Sequence, residues 1–172
     1  MLIRAAQPSD LAAVAAIYAH EVEQGTATFD TTPPDQSSWE HKASDTTPGH
    51  HLLVAVQDDR VLGFAYSVAY RPRGAYAQTK ETSIYLAEGA QGRGVGSTLY
   101  AALLDRLRDN DVYTVIAVIA SPNPASAALH RSLGFEQAGA APSRLQVRAT
   151  HRHRVLAVDA RLRTRHRRGI PT

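Results

Sequence analysis

Apolar and polar positions divide the chain into short strands and helices. Leu2 to Ala5 predicts a strand, and beyond it Leu11, Val14, Ile17 and Tyr18 share one face of a helix whose expected N-cap is Ser9. The Thr-rich stretch Gly25 to Pro34 ends in a Pro pair and predicts a loop, with Phe29 as its only large apolar group. Pro34 and Asp35 start a short helix through Trp39. His51 to Val56 and Val61 to Tyr70 are strand-like runs that Asp58-Asp59-Arg60 separates, the pattern of a hairpin, and Arg71-Pro72-Arg73-Gly74 breaks the second run. Thr82 to Leu86 predicts a further strand. After a glycine-rich segment, Leu99, Leu103, Leu104 and Leu107 recur at helical spacing. Thr114 to Ile119 is a continuous β-branched run, as in a strand covered on both faces. Pro124 to Ser132 predicts a helix with Pro in its first turn and Gly134 as its terminator. The order β-α-α-β-β-β-α-β-α-β predicts an α/β fold, a mixed sheet with helices on both faces.

Composition narrows this picture. A chain of 172 residues fits one domain with one site, and no apolar run approaches the roughly 18 residues that a membrane-spanning helix needs. Met1-Leu2-Ile3-Arg4 leads directly into polar residues with no signal-peptide pattern, so the expected location is the cytoplasm. The absence of cysteine excludes disulfides, thiolate metal sites and a cysteine nucleophile, and no metal site is expected. The net charge of +3 hides a break: residues 1–143 carry ten Lys/Arg against fifteen Asp/Glu, whereas residues 144–172 carry nine Arg against one Asp. Phe135 is also the last aromatic residue of the chain. A basic tail can neutralise phosphates, but this one lacks interleaved aromatics and decorates an acidic body, so no nucleic-acid partner is expected.

Chemistry enters at Gln91-Gly92-Arg93-Gly94-Val95-Gly96-Ser97, between a strand and an amphipathic helix. Backbone N–H groups can converge there on an anion, with small residues permitting close approach; a flexible turn before a helix is the alternative. The segment is not a P-loop, because no Lys followed by Ser or Thr comes after its last glycine. Downstream, Asn123-Pro124-Ala125-Ser126 leads through Leu129 and His130 to Leu133-Gly134-Phe135. With these two motifs in this order, the sequence resembles the GCN5-related N-acetyltransferase (GNAT) superfamily. Gln91, Gly94 and Gly96 match its cofactor loop, and Asn123, Gly134 and Phe135 match its Asn-bearing helix. Tyr70-Arg71-Pro72-Arg73, Glu81-Thr82-Ser83-Ile84-Tyr85-Leu86 and Leu129-His130 further resemble the phosphinothricin and methionine sulfoximine N-acetyltransferases, over about residues 3 to 142.

The resemblance implies a single acetyltransferase domain over residues 1–143 with a partly splayed sheet. It also implies acetyl-CoA as co-substrate, a small amine-bearing amino-acid analogue as acceptor, direct transfer in a ternary complex, and a homodimer. Gln91 to Ser97, with Asn123 and Ser126, would hold the cofactor, and the backbone of Ile84, Tyr85 and Leu86 would pair with its pantetheine arm. Acyl transfer to an amine also needs a base and a proton for the leaving group. Glu81 is the expected base, the alternative being an exposed strand-end carboxylate. His130 suits proton delivery or base work, the alternative being a helix histidine satisfied by a carbonyl. Arg71 and Arg73 would pair with the acidic groups of the substrate and Phe29 would cover it; surface arginines and a core anchor are the alternatives.

The resemblance stops in the basic segment 144–172. The resembled enzymes continue with a Lys-x-Gly-x-Trp-x-Asp-like stretch and an aromatic Phe-Trp-Gln strand, absent from Gln146 to Asp159 as written. Codons for these residues can be chosen so that, read one base later, they give Lys-Phe-Gly-Arg-Arg-Ile-Asp-Thr-Gly-Phe-Trp-Gln-Trp. A shift of frame near Pro142 to Gln146 would account for the lost aromatics and the surplus arginine together. As written, the segment is expected to be disordered or to weaken the domain.

Overall fold

The first polar–apolar alternation produces strand β1 (Leu2–Ala5), and the helix after it is entered through a single 3-10 turn, Pro8–Asp10, before α1 (Leu11–Gln24). Ser9 is not the cap. Asp10 holds the N-cap position of α1, but its carboxylate closes the 3-10 turn instead of capping the helix, accepting the Gln7 N–H at 2.7 Å and the Arg4 guanidinium at 2.9 Å, so the charge is paired where it is buried. The computed structural model describes residues 1–142 and 154–161. Its further elements are α2 (Gln36–Ser44), β2 (His51–Gln57), β3 (Arg60–Ala69), β4 (Thr79–Leu86), α3 (Val95–Asp109), β5 (Thr114–Ser121), α4 (Pro124–Ser132), β6 (Glu136–Pro142) and β7 (Arg154–Arg161). Asp35 caps α2 by accepting the Ser38 N–H at 3.0 Å. Asp58 and Asp59, both at positive φ (50° and 58°), form the two-residue turn between β2 and β3.

The strands form one sheet in the order β1-β2-β3-β4-β5-β7-β6. Neighbours are antiparallel except β4 and β5, which run parallel. Period-2 alternation sends Leu52, Val54 and Phe64 to one face, where Leu11, Val14, Tyr18 and Trp39 of α1 and α2 cover them. Leu53, Ala55, Ala65 and Val115 go to the other, under Leu99, Leu103, Leu104 and Leu107 of α3. The expected mixed α/β architecture with helices on both faces is found.

Two boundaries differ from expectation. Strand β4 begins at Thr79 and not Thr82, because Lys80, which reads as a solvent residue, is 5% exposed with its stem against Gly49. Residues 154–161, within the segment expected to be disordered or to weaken the domain, form β7, which pairs along its whole length with β5 and over Arg154 to Asp159 with β6. The expectations for residues 143–153 and 162–172 lie outside the described residues.

The feature that positions the site is the parting of β4 from β5. Their parallel ladder holds only over Thr79–Glu81 against Thr114–Ile116. Beyond that rung the strands diverge, leaving Thr82 to Leu86 and Ala117 to Ala120 as the two walls of a cleft of about 350 Å³. This is the expected splay.

Candidate active site

The glycine segment closes one end of the cleft. Gly92 and Gly94 have φ of 72° and 78°, a backbone conformation that side chains disfavour, and a Cβ built on either would have open space within 4 Å. Gly94 is the N-cap of α3. The N–H groups of the helix's first turn have no acceptor within the helix, and no acidic side chain stands there to supply one. Ser97 and Thr98 turn their hydroxyls back onto the Gly94 carbonyl, at 2.9 and 3.1 Å, leaving the N–H groups to the cleft. Gln91, Gly92, Gly94, Gly96 and Ser97 all line it. A positively polarised helix start at the end of an elongated cleft suits a phosphate-bearing ligand. The residues therefore fit the expected co-substrate: loop for pyrophosphate, diverging strand edges for an extended arm.

The other predicted cofactor residues divide. Ile84, Tyr85, Leu86, Asn123 and Ser126 line the cleft; Arg93 is exposed outside the lining, and Val95 is buried in the core under α3. The Asn123 side chain is occupied as the N-cap of α4, its Oδ1 accepting the Ser126 N–H at 3.0 Å.

Glu81 is on the last rung before the strands part, paired with Val68 of β3 and Ile116 of β5. It is half-buried within β4, not at a strand end. Burial raises its carboxyl above the ordinary glutamate range, and the nearby Arg71 pulls it partly back. Ser83, two residues on and so on the same face of β4, is paired in register with Tyr66 of β3, whose phenol burial raises. The Arg71 guanidinium stacks over Tyr70 at 5.1 Å. Arg73 is exposed, preceding the short turn Gly74–Tyr76.

Phe29 is partly buried in a loop pinned to α1. Tyr18 donates to Asp30 Oδ2 at 2.7 Å, leaving the Thr28 hydroxyl, also at 2.7 Å, to donate to the Tyr18 oxygen. Glu21 takes the N–H groups of Thr26 and Ala27 at 2.8 and 2.7 Å. Glu21 and Ala27 reach the cleft wall; Phe29, Arg71, Arg73 and Glu81 itself are not part of that wall, which on β4 begins at Thr82.

His130 lines the cleft from α4, 3% exposed, and burial lowers its pKa below the usual histidine range. Its Nδ1 lies 2.8 Å from the Ser126 carbonyl, which can only accept, so Nδ1 bears the proton. Its Nε2 lies 3.2 Å from the Tyr100 hydroxyl. Glu81 and His130 address β4 from opposite faces, since Tyr100 in turn meets Thr82, whose side chain alternates with that of Glu81. Sequence reasoning missed Tyr66, Thr82 and Tyr100. Tyr66 is legible only through the register that sets it opposite Ser83, and Tyr100 reads as one more core position of α3. Among the described residues no group of His, Asp and Glu is arranged to hold a metal ion, and no helix is long and apolar enough to cross a membrane.

Comparison with known proteins gives this geometry its context. Residues 14–135 match the model of the acetyltransferase (GNAT) family. The chain is 42% identical over 139 residues to a phosphinothricin N-acetyltransferase of Alcaligenes faecalis, covering 80% of this chain and 71% of the relative. It is 37% identical over 145 residues to an L-methionine sulfoximine/L-methionine sulfone acetyltransferase of Pseudomonas aeruginosa, covering 81% and 83%. The crystal structure of a GNAT superfamily phosphinothricin acetyltransferase from Sinorhizobium meliloti, in complex with AcCoA, superposes with a TM-score of 0.87 at 33% identity, covering 94% of this chain and 88% of that one.

Proposed function

This chain belongs to the acetyltransferase (GNAT) family and is an acetyl-CoA-dependent N-acetyltransferase, and on that premise we propose that its acceptor is the amine of a small amino-acid analogue of the phosphinothricin or methionine sulfoximine type. The observation that carries the reading is the position of Glu81, on the last rung before β4 and β5 separate and directly before Thr82, the first residue of β4 that lines the cleft. Acetyl-CoA supplies an activated acetyl thioester. An amine arrives as an ammonium and must lose a proton before it can attack. A carboxylate whose pKa burial has raised is a better proton acceptor than an exposed one, and Glu81 takes that proton directly or through water. Transfer is direct, in a ternary complex, without an acetyl-enzyme. The leaving group departs toward the opposite wall, where His130 and Ser126 stand on α4.

Arg71 and Arg73 pair with the carboxylate and the phosphinate or sulfoximine end of the acceptor, with Phe29 over it. A panel of amines assayed by thiol release tests this. Phosphinothricin and methionine sulfoximine should show the highest kcat/KM, and Arg71→Ala should raise the KM of these acceptors about tenfold or more, as expected for loss of a charge-assisted contact. A preference for diamines or for peptide N-termini would mean that another amine is the substrate.

In the same reading the enzyme is a cytoplasmic homodimer, its recognisable acetyltransferase sequence covers residues 1–143, and residues 144–172 are an atypical basic segment read out of frame, of which residues 154–161 nevertheless complete the sheet as β7. Sequencing the gene and weighing the intact protein decide the last point, because the two frames differ in mass and in aromatic absorbance.

A further inference from the structure

His130 is held by a buried chain of hydrogen bonds whose direction can be derived. Because Nδ1–H is committed to the Ser126 carbonyl, the neutral ring presents a lone pair at Nε2, and the group facing it must donate. That group is the Tyr100 hydroxyl, 3.2 Å away. Having given its only proton to Nε2, Tyr100 must accept from its other neighbour, the Thr82 hydroxyl, whose single proton goes to this 2.6 Å contact in preference to the Ile116 carbonyl at 3.4 Å. The chain therefore runs Thr82 O–H to Tyr100 O–H to His130 Nε2, and then from Nδ1–H to Ser126. Tyr100 is fully buried, Thr82 and His130 are nearly so, and no water is needed to complete it. The rings are fixed as well: Phe135 stacks on Tyr100 at 5.7 Å and meets the imidazole edge at 5.0 Å. Gly134, at φ 86°, makes the turn that brings Phe135 there.

Tyr100 itself is not part of the cleft wall, whereas Thr82 and His130 both are. We propose that Tyr100 is a positioning residue for the acetyl-transfer reaction: its hydroxyl, oriented by Thr82 of β4, caps Nε2 and holds the His130 ring neutral, in the Nδ1–H tautomer, against the cleft. Tyr100 joins the two diverging walls at the level where the reaction takes place, so that a group on α4 is aligned to a strand from which its own strand, β5, has separated. A third residue that fixes a histidine's tautomer and ring orientation is a recurrent device; here both ring nitrogens are engaged, so a proton reaches Nε2 by relay, from the cleft to the Thr82 oxygen as Thr82 passes its own proton to Tyr100 and Tyr100 passes its own to the ring.

The inference rests on the acetyltransferase reading, and the test separates the two. Tyr100→Phe removes one oxygen and keeps the ring stacked on Phe135. It should lower kcat about tenfold to a hundredfold, less than the roughly 10²–10⁴-fold that an acid–base group itself contributes, and leave acetyl-CoA affinity unchanged. In a His130→Ala background the same change should have no further effect, because Tyr100 acts through the ring that is gone. Thr82→Val should give a smaller loss of the same kind and serves if Tyr100→Phe folds poorly. Nitrogen NMR of the imidazole, which needs no turnover, should find Nδ1 protonated and Nε2 hydrogen-bonded in the wild type, and Nε2 shifted toward a free lone pair in Tyr100→Phe. Equal fractional losses in both backgrounds, undiminished kcat in His130→Ala, or an Nε2 signal indifferent to Tyr100→Phe would each overturn the proposal. Failure to acetylate any amine counts against the acetyltransferase reading; the nitrogen signal then judges the Tyr100 contact by itself.

Discussion

At the scale of single residues, the carboxyl of Glu81 is asked to do two opposed things. Burial raises its pKa, which suits a base but opposes the charged form that a base needs at neutral pH. Its folded-state pKa lies above the unfolded value, so between the two the folded protein holds the proton more tightly. Stability then falls as pH rises through that interval, and above it ionised Glu81 is a cost to the fold. Glu81→Gln is therefore expected to lower kcat by about 10² or more while leaving the melting temperature near neutral pH equal or higher. Wild-type turnover should climb as pH rises through the raised carboxyl pKa, and that limb should vanish in the variant. A kcat unchanged by Glu81→Gln would leave water or His130 as the base.

Glu81 was legible in the sequence through the motif it opens, but its setting was not. The strand that carries it begins two residues earlier, at Thr79, and includes Lys80, a residue that only folding shows to be buried. Partners across strands, such as Tyr66 and Ser83, depend on register, which is fixed when hairpins choose their turns and is not written in either strand alone. Tyr100 illustrates a further limit: leucine-spaced helical positions announce a core, and one hydroxyl among them gives no sign of the histidine it faces thirty residues on.

At the scale of elements, the glycine loop and α3 form a unit in which backbone conformation matters more than side chains. Gly89 and Gly94 provide an internal comparison, with φ of 76° and 78° and open space around a built Cβ at both; only Gly94 lines the cleft. Replacing either by Ala carries a similar left-handed penalty of roughly 1 kcal/mol. Gly94→Val, in addition, puts a branched side chain where a phosphate must approach the helix start. Titration calorimetry should find acetyl-CoA affinity lowered at least about tenfold in Gly94→Val and little changed in Gly89→Ala, a gap of roughly 1.4 kcal/mol or more. Equal affinities in the two variants would remove the loop from the cofactor site. Gly96 is a different case, since a Cβ there would meet Leu86 and Leu129 at 3.4 and 3.5 Å, ordinary contact distances, and Ala is expected to be accommodated. Spacing made this loop readable in advance, because glycine positions in a strand–loop–helix context have few uses. The entry to α1 differs from expectation because Pro8 to Asp10 form a 3-10 turn of their own, closed by the Asp10 carboxylate on the Gln7 N–H with Arg4 as its counter-charge, so the α-helix starts one residue later than a Ser9 cap would place it.

At the scale of the whole molecule, the site exists because one parallel pair of strands stays together for three rungs and then separates. The antiparallel half, β1 to β4, is held by both helical layers, and β5 is held from its other side by β7 and β6. Each half can therefore remain ordered while the seam between them stays open along the edges of Thr82 to Leu86 and Ala117 to Ala120. Periodicity predicted the layers and the mixed sheet, whereas Arg154 to Arg161 lacks the aromatic pattern expected of a final strand, so the sequence pointed there to disorder or a weakened domain and not to the strand that forms.

The claim that unites these scales is that the seam delivers an activated acetyl group to an amine beside Glu81, with no stop on the protein. Mass spectrometry of a single mixture of enzyme, acetyl-CoA and phosphinothricin tests it most directly. The predicted result is one acetyl group on the amine of the acceptor, formed in step with free thiol, with the protein's own mass unchanged; acetyl on the protein, or thiol release with the acceptor untouched, would contradict it.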